Sequence, residues 1–320
     1  MQVLKKSIVT IMAVAGLISV QAVWAKTVPV TFTAEETNVT IDGKGTQMAA
    51  WTFNGTIPGP VVRVDEGDTV DFTLVNPAEN KNSHAIDFHA AQVNVLDEFA
   101  PVKPGESKHF KFVAKVPGVF MYHCGAGPMV QHIARGMYGV IIVNPKGGYN
   151  KAYPKPDREY VLVQQQYFPD VENYGAMLND ANSWKGSLIN GQMFHYDPVH
   201  DSTANPAHNT MVAKPGERVR IFFVNANVNL PVALHPIAGI WDRVYINGNP
   251  KNTLYGLQTY NVAVAEAVTV DLVTPKEKPV AGIAVVDHAM NAALRGAISV
   301  LVSSKDADPK EGRDGNLIVK

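Results

Sequence analysis

The feature that most restricts the fold of this chain is an internal repeat. Gly67-Asp-Thr-Val-Asp-Phe-Thr-Leu-Val-Asn76 resembles Gly216-Glu-Arg-Val-Arg-Ile-Phe-Phe-Val-Asn225. Upstream, Asn54-Gly55 is echoed by Asn190-Gly191; downstream, Arg135-Gly136 before Gly139–Val143 is echoed by Arg295-Gly296 before Ser299–Val302. The order of elements matches in both halves, so one structural unit occurs twice. Within that unit, short runs alternate apolar and polar residues between Gly/Pro turns: Val61–Val64, Thr69–Val75, His109–Val113, Val119–Tyr122 and Val140–Val143. That period belongs to half-buried strands, and strands at this spacing build sandwiches or barrels. No helical pattern of twelve or more residues follows the first 25. The expected fold is all-β, each half with the order and size of a Greek-key sandwich.

The stretch 147–157, rich in Pro, Gly and Lys, reads as a linker between a first domain at 26–146 and a second at 158–303. The polar tail 304–320 reads as an extended arm or as disordered. The first 25 residues read as a cleaved signal peptide: Lys5 and Lys6, the apolar run Ser7–Val20, then Val23-Trp-Ala25. The run is short for a bilayer span of about 20 residues. No cysteine follows closely enough to take a lipid, and no second run is long enough to span, so the mature chain is expected without a membrane span. The remaining ~295 residues suit two domains of ordinary size. Removing the signal moves the net charge from −1 to about −3. That balance speaks against nucleic-acid binding.

Cys124 is the only cysteine, which excludes a disulfide framework. An exposed thiol outside the cytoplasm is open to oxidation, so a ligand role is favoured. The text around it is Cys124-x7-His132-x4-Met137, with His84 forty residues upstream. One thiolate, two imidazoles and a weak thioether are the ligand set of a blue-copper electron-transfer site. A structural zinc site usually takes more thiolates.

His123 directly precedes Cys124, and neighbouring side chains on a strand point to opposite faces. If Cys124 points into its domain, His123 points out. The same parity runs through Ser83-His84-Ala-Ile-Asp87-Phe-His89: on a regular strand, His84 faces one way and Asp87 and His89 the other. The chain therefore offers an inward set, His84 and Cys124, and an outward set, Asp87, His89 and His123. By the repeat, His235 falls near the position of His84 and His89, and His288 near that of His123 and Cys124. Three histidines with an open fourth position form a catalytic metal site. An Asp and a spare His beside it suit proton delivery. His109, His195, His200 and His208 read as surface or loop residues, and Met121, Met129 and Met193 as packing.

These motifs together resemble the copper-containing nitrite reductases over nearly the whole mature chain. The resemblance rests on Asn54-Gly-Thr-Ile-Pro-Gly-Pro60, His84-x2-Asp87-x-His89-Ala-Ala91, Tyr122-His-Cys124, His132-Ile-Ala-Arg-Gly-Met-Tyr-Gly139, His235-Pro-Ile237 and Asp287-His288. The first motif is shared with multicopper oxidases; the combination of the others is specific. The resemblance implies two tandem Greek-key cupredoxin-like β-sandwich domains and two coppers per chain. His84, Cys124, His132 and Met137 would hold a type-1 copper. His89, His123 and His288 would hold a type-2 copper where nitrite binds, with Asp87 and His235 as the catalytic pair and Ile237 shaping the pocket. It also implies a periplasmic homotrimer, His288 coming from the neighbouring subunit. An electron would enter from a small cytochrome c or cupredoxin and pass from the type-1 to the type-2 copper through Cys124-His123. Nitrite would become nitric oxide, the chemistry of denitrification.

Two departures stand out. Where many relatives carry a Gly-rich turn after the second histidine motif, this chain has Gln92-Val-Asn-Val-Leu-Asp-Glu-Phe99, which alters the surface near the type-2 site. The loop between Cys124 and His132 is of the shorter kind. No Cys-x-x-Cys-His haem motif or third copper domain is expected. A two-domain multicopper oxidase is the alternative enzyme, but the chain has no His-x-His pair and Gly125 follows Cys124. A non-enzymatic electron carrier is the alternative without catalysis; it leaves the outward set without a purpose.

Overall fold

The computed structural model describes residues 25–198, 210–278 and 280–312. Residues 1–24 of the expected signal, His200, His208 and residues 313–320 lie outside the described residues.

The first half supplies β1 (Thr27–Thr40), β2 (Gln47–Phe53), β3 (Val62–Asp65), β4 (Thr69–Val75), β5 (Asp87–Phe88), β6 (Ser107–Val113), β7 (Gly118–His123), α1 (Met129–Ala134) and β8 (Tyr138–Asn144). They form two four-stranded sheets, β2-β1-β4-β6 and β3-β8-β7-β5. The second half supplies β9 (Arg158–Tyr167), α2 (Tyr174–Asn179), β10 (Gly186–Ile189), β11 (Met211–Ala213), β12 (Arg218–Asn225), β13 (Val232–Ile237), β14 (Trp241–Ile246), β15 (Thr253–Leu257), β16 (Tyr260–Val262), β17 (Ala267–Val273), β18 (Val280–Asp287), α3 (Met290–Ala293) and β19 (Ile298–Ser304). Its sheets run β10-β9-β12-β17-β14-β15 and β11-β19-β18-β13-β16.

The repeat seen in the sequence is a repeat of pairing. β4 lies parallel to β1 and antiparallel to β6. β12 lies parallel to β9 and antiparallel to β17. In the facing sheets, β8 is parallel to β3 and antiparallel to β7, as β19 is to β11 and β18.

Alternation decides what each face touches. On β4, Val70, Phe72 and Leu74 are buried and join Phe32, Phe53, Phe88, Phe110 and Tyr122 in the first core. Ring contacts such as Phe32–Phe72, with centroids 5.3 Å apart and edge to face, each add about 0.5–1.5 kcal/mol beyond area burial. The repeated strand β12 is buried on both faces. Val219, Ile221 and Phe223 enter the second core, while Phe222 and Val224 meet Val119, Met121, Val140 and Ile142 of the first half. A strand covered on both sides loses its polar alternation, which explains the more apolar second copy of the motif.

β7 is thus fixed from both sides. Tyr122 enters the first core, and Val119 and Met121 pack against the second half. At its start, the Val119 amide donates to Asn247 O at 2.9 Å. A Cβ on Gly248, at φ +67°, would lie 2.4 Å from Val119 N, so this approach of two backbones needs glycine. Arg63 spans the halves with a two-pronged ion pair to Glu159, at 2.6 and 3.1 Å.

Three expectations are corrected. Residues 83–89 are not one regular strand: only Asp87–Phe88 pairs with β7, and His84 makes an isolated bridge to Val102. The start of the tail is not disordered but lies back against the second half. The Arg158 guanidinium donates to Asp308 O and Glu311 O, and the Glu159 amide to Gly312 O. Met129 is 46% exposed and is not a packing residue. Among the described residues, no helix is long and apolar enough to cross a membrane.

Candidate metal centres

Two clusters of donor atoms meet at the end of β7. In each, the ligand atoms lie within 4.8 Å of one another: His84, Cys124 and His132 in one, Asp87, His89 and His123 in the other. All three residues of the first cluster are buried. Cys124 Sγ lies 3.2 Å from His132 Nδ1 and accepts the Ala85 amide at 3.2 Å. His132 stands on α1, whose end turns back so that the Met137 amide donates to His132 O and the Cys124 amide to Met137 O. This double closure sets Met137, fully buried, in the same core as Cys124. Trp51 roofs the cluster, its ring 4.5 Å from His132 and 5.5 Å from His84. The Arg135 guanidinium lies 4.6 Å above Trp51.

The electrostatics suit a bound cation. Burial pushes the Cys124 thiol up to about 11, against hydrogen bonds from the Ala85 and Ala126 amides. Burial, then the nearby His84 and Arg135, lower His132 to about 4. His84 is lowered by burial against the pull of Glu36. Neutral imidazoles offer lone pairs, and a thiol held protonated by burial becomes a thiolate when a metal binds. His84 Nδ1 is buried without a hydrogen-bond partner. The donor set therefore fits a soft transition metal such as copper.

The outward cluster follows from register. Asp87 pairs directly with His123 across β5 and β7, and the His89 amide donates to Met121 O. Their side chains share one face. His123 Nε2 and His89 Nε2 stand 3.1 Å apart, and Asp87 Oδ2 is 3.8 Å from His123 Nε2. His123 Nδ1 lies 3.1 Å from Cys124 O, to which it donates, so Nε2 carries the lone pair. Two imidazole nitrogens beside a carboxylate fit a metal ion. His123 is 5% exposed, whereas His89 is exposed.

His288 belongs to neither cluster. It lies with His235 on the second half, their ring centroids 5.1 Å apart. The His288 amide donates to Ala233 O, two residues before His235 on β13. His235 Nδ1 donates to Gln258 O at 2.6 Å, with Thr259 Oγ1 at 3.2 Å, leaving Nε2 free. Ile237 is 46% exposed. Two supporting residues stand outside the predicted site set. Asp287 is 2% exposed; its Oδ1 accepts the Ala233 and Ala289 amides and its Oδ2 the Gln164 side chain. It ties the strand of His235 to the turn of His288. Glu36, on β1, reaches His84. No local motif announces either contact.

Comparison with known proteins agrees with this arrangement. Residues 33–148 match the family model described as multicopper oxidase. The copper-containing nitrite reductase of Neisseria gonorrhoeae is 35% identical over 205 residues, 64% of this chain and 51% of the relative. The chain thus spans about half the length of the curated relatives it matches first. The solved copper nitrite reductase of Nitrosomonas europaea superposes with a TM-score of 0.87 at 54% identity, over 92% of this chain and all of that one. A copper-containing nitrite reductase of Thermus scotoductus gives 0.76 at 28% identity, over 92% of this chain and 69% of that one. The fold and both donor clusters define a copper protein of tandem β-sandwiches. Within that class, the chain belongs to the copper-containing nitrite reductase family.

Proposed function

We propose that this protein reduces nitrite to nitric oxide, taking up one electron and two protons and releasing water. The observation that carries this reading is that two consecutive residues, His123 and Cys124, serve different donor clusters. One peptide unit is then the covalent bridge between a buried thiolate set and an outward histidine set. His84, Cys124, His132 and Met137 hold a type-1 copper; His89 and His123 hold a type-2 copper with His288 of a neighbouring copy. Bound copper supplies one-electron redox chemistry at the first set and Lewis-acid binding of nitrite at the second.

The chain's own residues handle the protons. Asp87, half-buried beside His123, hydrogen-bonds an oxygen of nitrite and delivers a proton to it as the N–O bond breaks. His235 holds the second proton at Nε2, because its Nδ1–H is committed to Gln258 O. Ile237 narrows the pocket beside His235. Both outward sets reach solvent within one chain, which supports a closed oligomer, a homotrimer, in which each set meets the other across a subunit boundary. The two-domain division at 26–146 and 158–303, export to the periplasm with loss of residues 1–25, and a small redox protein as electron donor complete the reading.

The test is anaerobic addition of nitrite to the reduced, copper-loaded protein, with nitric oxide detected directly. Stoichiometric nitric oxide supports the proposal; none, with both coppers present, overturns it. Oxygen uptake with a phenolic donor and no nitrite consumption would favour a multicopper oxidase.

A further inference from the structure

Glu36, on β1, lies 48 residues before His84 in the sequence and belongs to neither donor cluster. In register it stands opposite Trp51, the residue that roofs the thiolate cluster. Its Oε1 accepts the Lys81 amide at 3.0 Å, the Asn82 amide at 2.8 Å and the Asn82 side-chain amide at 3.0 Å. All three partners are N–H donors with nothing to accept, so this oxygen acts as an acceptor. The same oxygen lies 3.3 Å from His84 Nε2. An acceptor facing an imidazole nitrogen requires that nitrogen to donate.

We infer that Glu36 is a positioning residue for the thiolate site: it fixes His84 as the Nε2–H tautomer and aims the Nδ1 lone pair at the metal position. The other end of the ring agrees. His84 Nδ1 is buried, has no hydrogen-bond partner and is the ring atom left to face Cys124 Sγ and His132 Nδ1. Glu36 also fastens the approach to His84, since Lys81 and Asn82 hang from the same oxygen. A carboxylate behind a ligating imidazole makes it a stronger donor and favours the more highly charged metal state. Glu36 therefore lowers the reduction potential of the site relative to a neutral residue in its place. The side chain is 16% exposed, so water screens this effect only in part.

This inference rests on His84 being a copper ligand, and the two can fail separately. The first measurement needs no copper: nitrogen-15 NMR of the metal-free protein at a pH where His84 is neutral. The native chain and Glu36→Gln, which keeps an acceptor oxygen, are expected to show the Nε2–H tautomer. Glu36→Ala is expected to lose it in favour of a mixture. The second is the reduction potential of the copper-loaded forms, where Glu36→Gln is expected to stay coloured and shift to higher potential. An Nδ1–H tautomer in the native chain overturns the inference. So does an unchanged potential in a coloured Glu36→Gln protein, which remains decisive if Glu36→Ala does not fold. Failure of the native chain to form a coloured copper site overturns the functional reading instead.

Discussion

At the end of β7 the first half runs His123-Cys124; at the end of β18 the second half runs Asp287-His288. Both strands are paired on both sides and lead into a short helix, an Arg-Gly pair and a final strand. Each half carries an outward histidine, His123 just before the inward residue and His288 just after it. The inward positions differ. In the first half a thiol points at two imidazoles with free lone pairs. In the second a carboxylate takes two backbone amides and a glutamine. The same frame thus yields a closed metal pocket where the interior offers donors to a cation. It yields a rigid mount for surface histidines where the interior carboxylate is already satisfied.

The sharpest way to break this comparison is to remove one ligand from each side. Cys124→Ser is expected to abolish both colour and nitrite turnover, whereas His288→Ala abolishes turnover and leaves the colour intact. Visible absorption and a nitric oxide electrode read both; loss of colour in His288→Ala would contradict the division of labour. Next in size, Asp87→Asn removes the proposed proton donor and keeps the shape. Turnover should fall by about 10²–10⁴-fold with both coppers retained. Full activity in that variant would move the proton delivery elsewhere.

Buried imidazoles also give the halves different responses to acid in the metal-free protein. His132 titrates near 4 when folded, against 6.5 as its ordinary value. Below about 6.5 the unfolded chain binds a proton that the folded chain refuses, so stability falls as pH drops towards 4 and then levels. The loss from this group is on the order of 3 kcal/mol. Denaturant titrations of the metal-free protein at pH values across this window, native against His132→Gln, check it. The variant should show a shallower decline; equal slopes would contradict it. Among the described residues, the second half contributes no comparably buried imidazole.

The smallest expected effect tests the carboxylate mount. Asp287→Ala strands buried amides and should cost about 1–3 kcal/mol. It should also weaken metal binding at the outward site by about 10–100-fold. Asp287→Asn keeps the oxygen that accepts the Ala233 and Ala289 amides and should recover most of both. A variant whose metal affinity and stability are unchanged would show that the turn of His288 holds itself.

Much of this was legible in the chain because strand parity and the repeat are local properties. Side-chain alternation put Cys124 inside and His123 outside, and the paired glycine-strand motifs announced two similar units. The reading of 83–89 as a regular strand failed at His84. There the backbone leaves β5 to bridge Val102, and Asn76 Nδ2 holds both Asn82 O and Val102 O. The inward direction of His84 survived because its ring is enclosed by Trp51 and His132, not because of strand parity. Glu36 and Asp287 act on partners as far as 48 and 123 residues away, and no spacing rule connects such pairs.

The central claim is that the outward sets are halves of one site, completed between chains. Co-assembling His89→Ala with His288→Ala copies, each inactive alone, tests it directly. In a closed ring with random mixing, about one boundary in four joins an intact His89–His123 pair to an intact His288. Nitrite turnover should return to about a quarter of the native level. Mixed assemblies, copper-loaded and no more active than either variant alone, would contradict the claim.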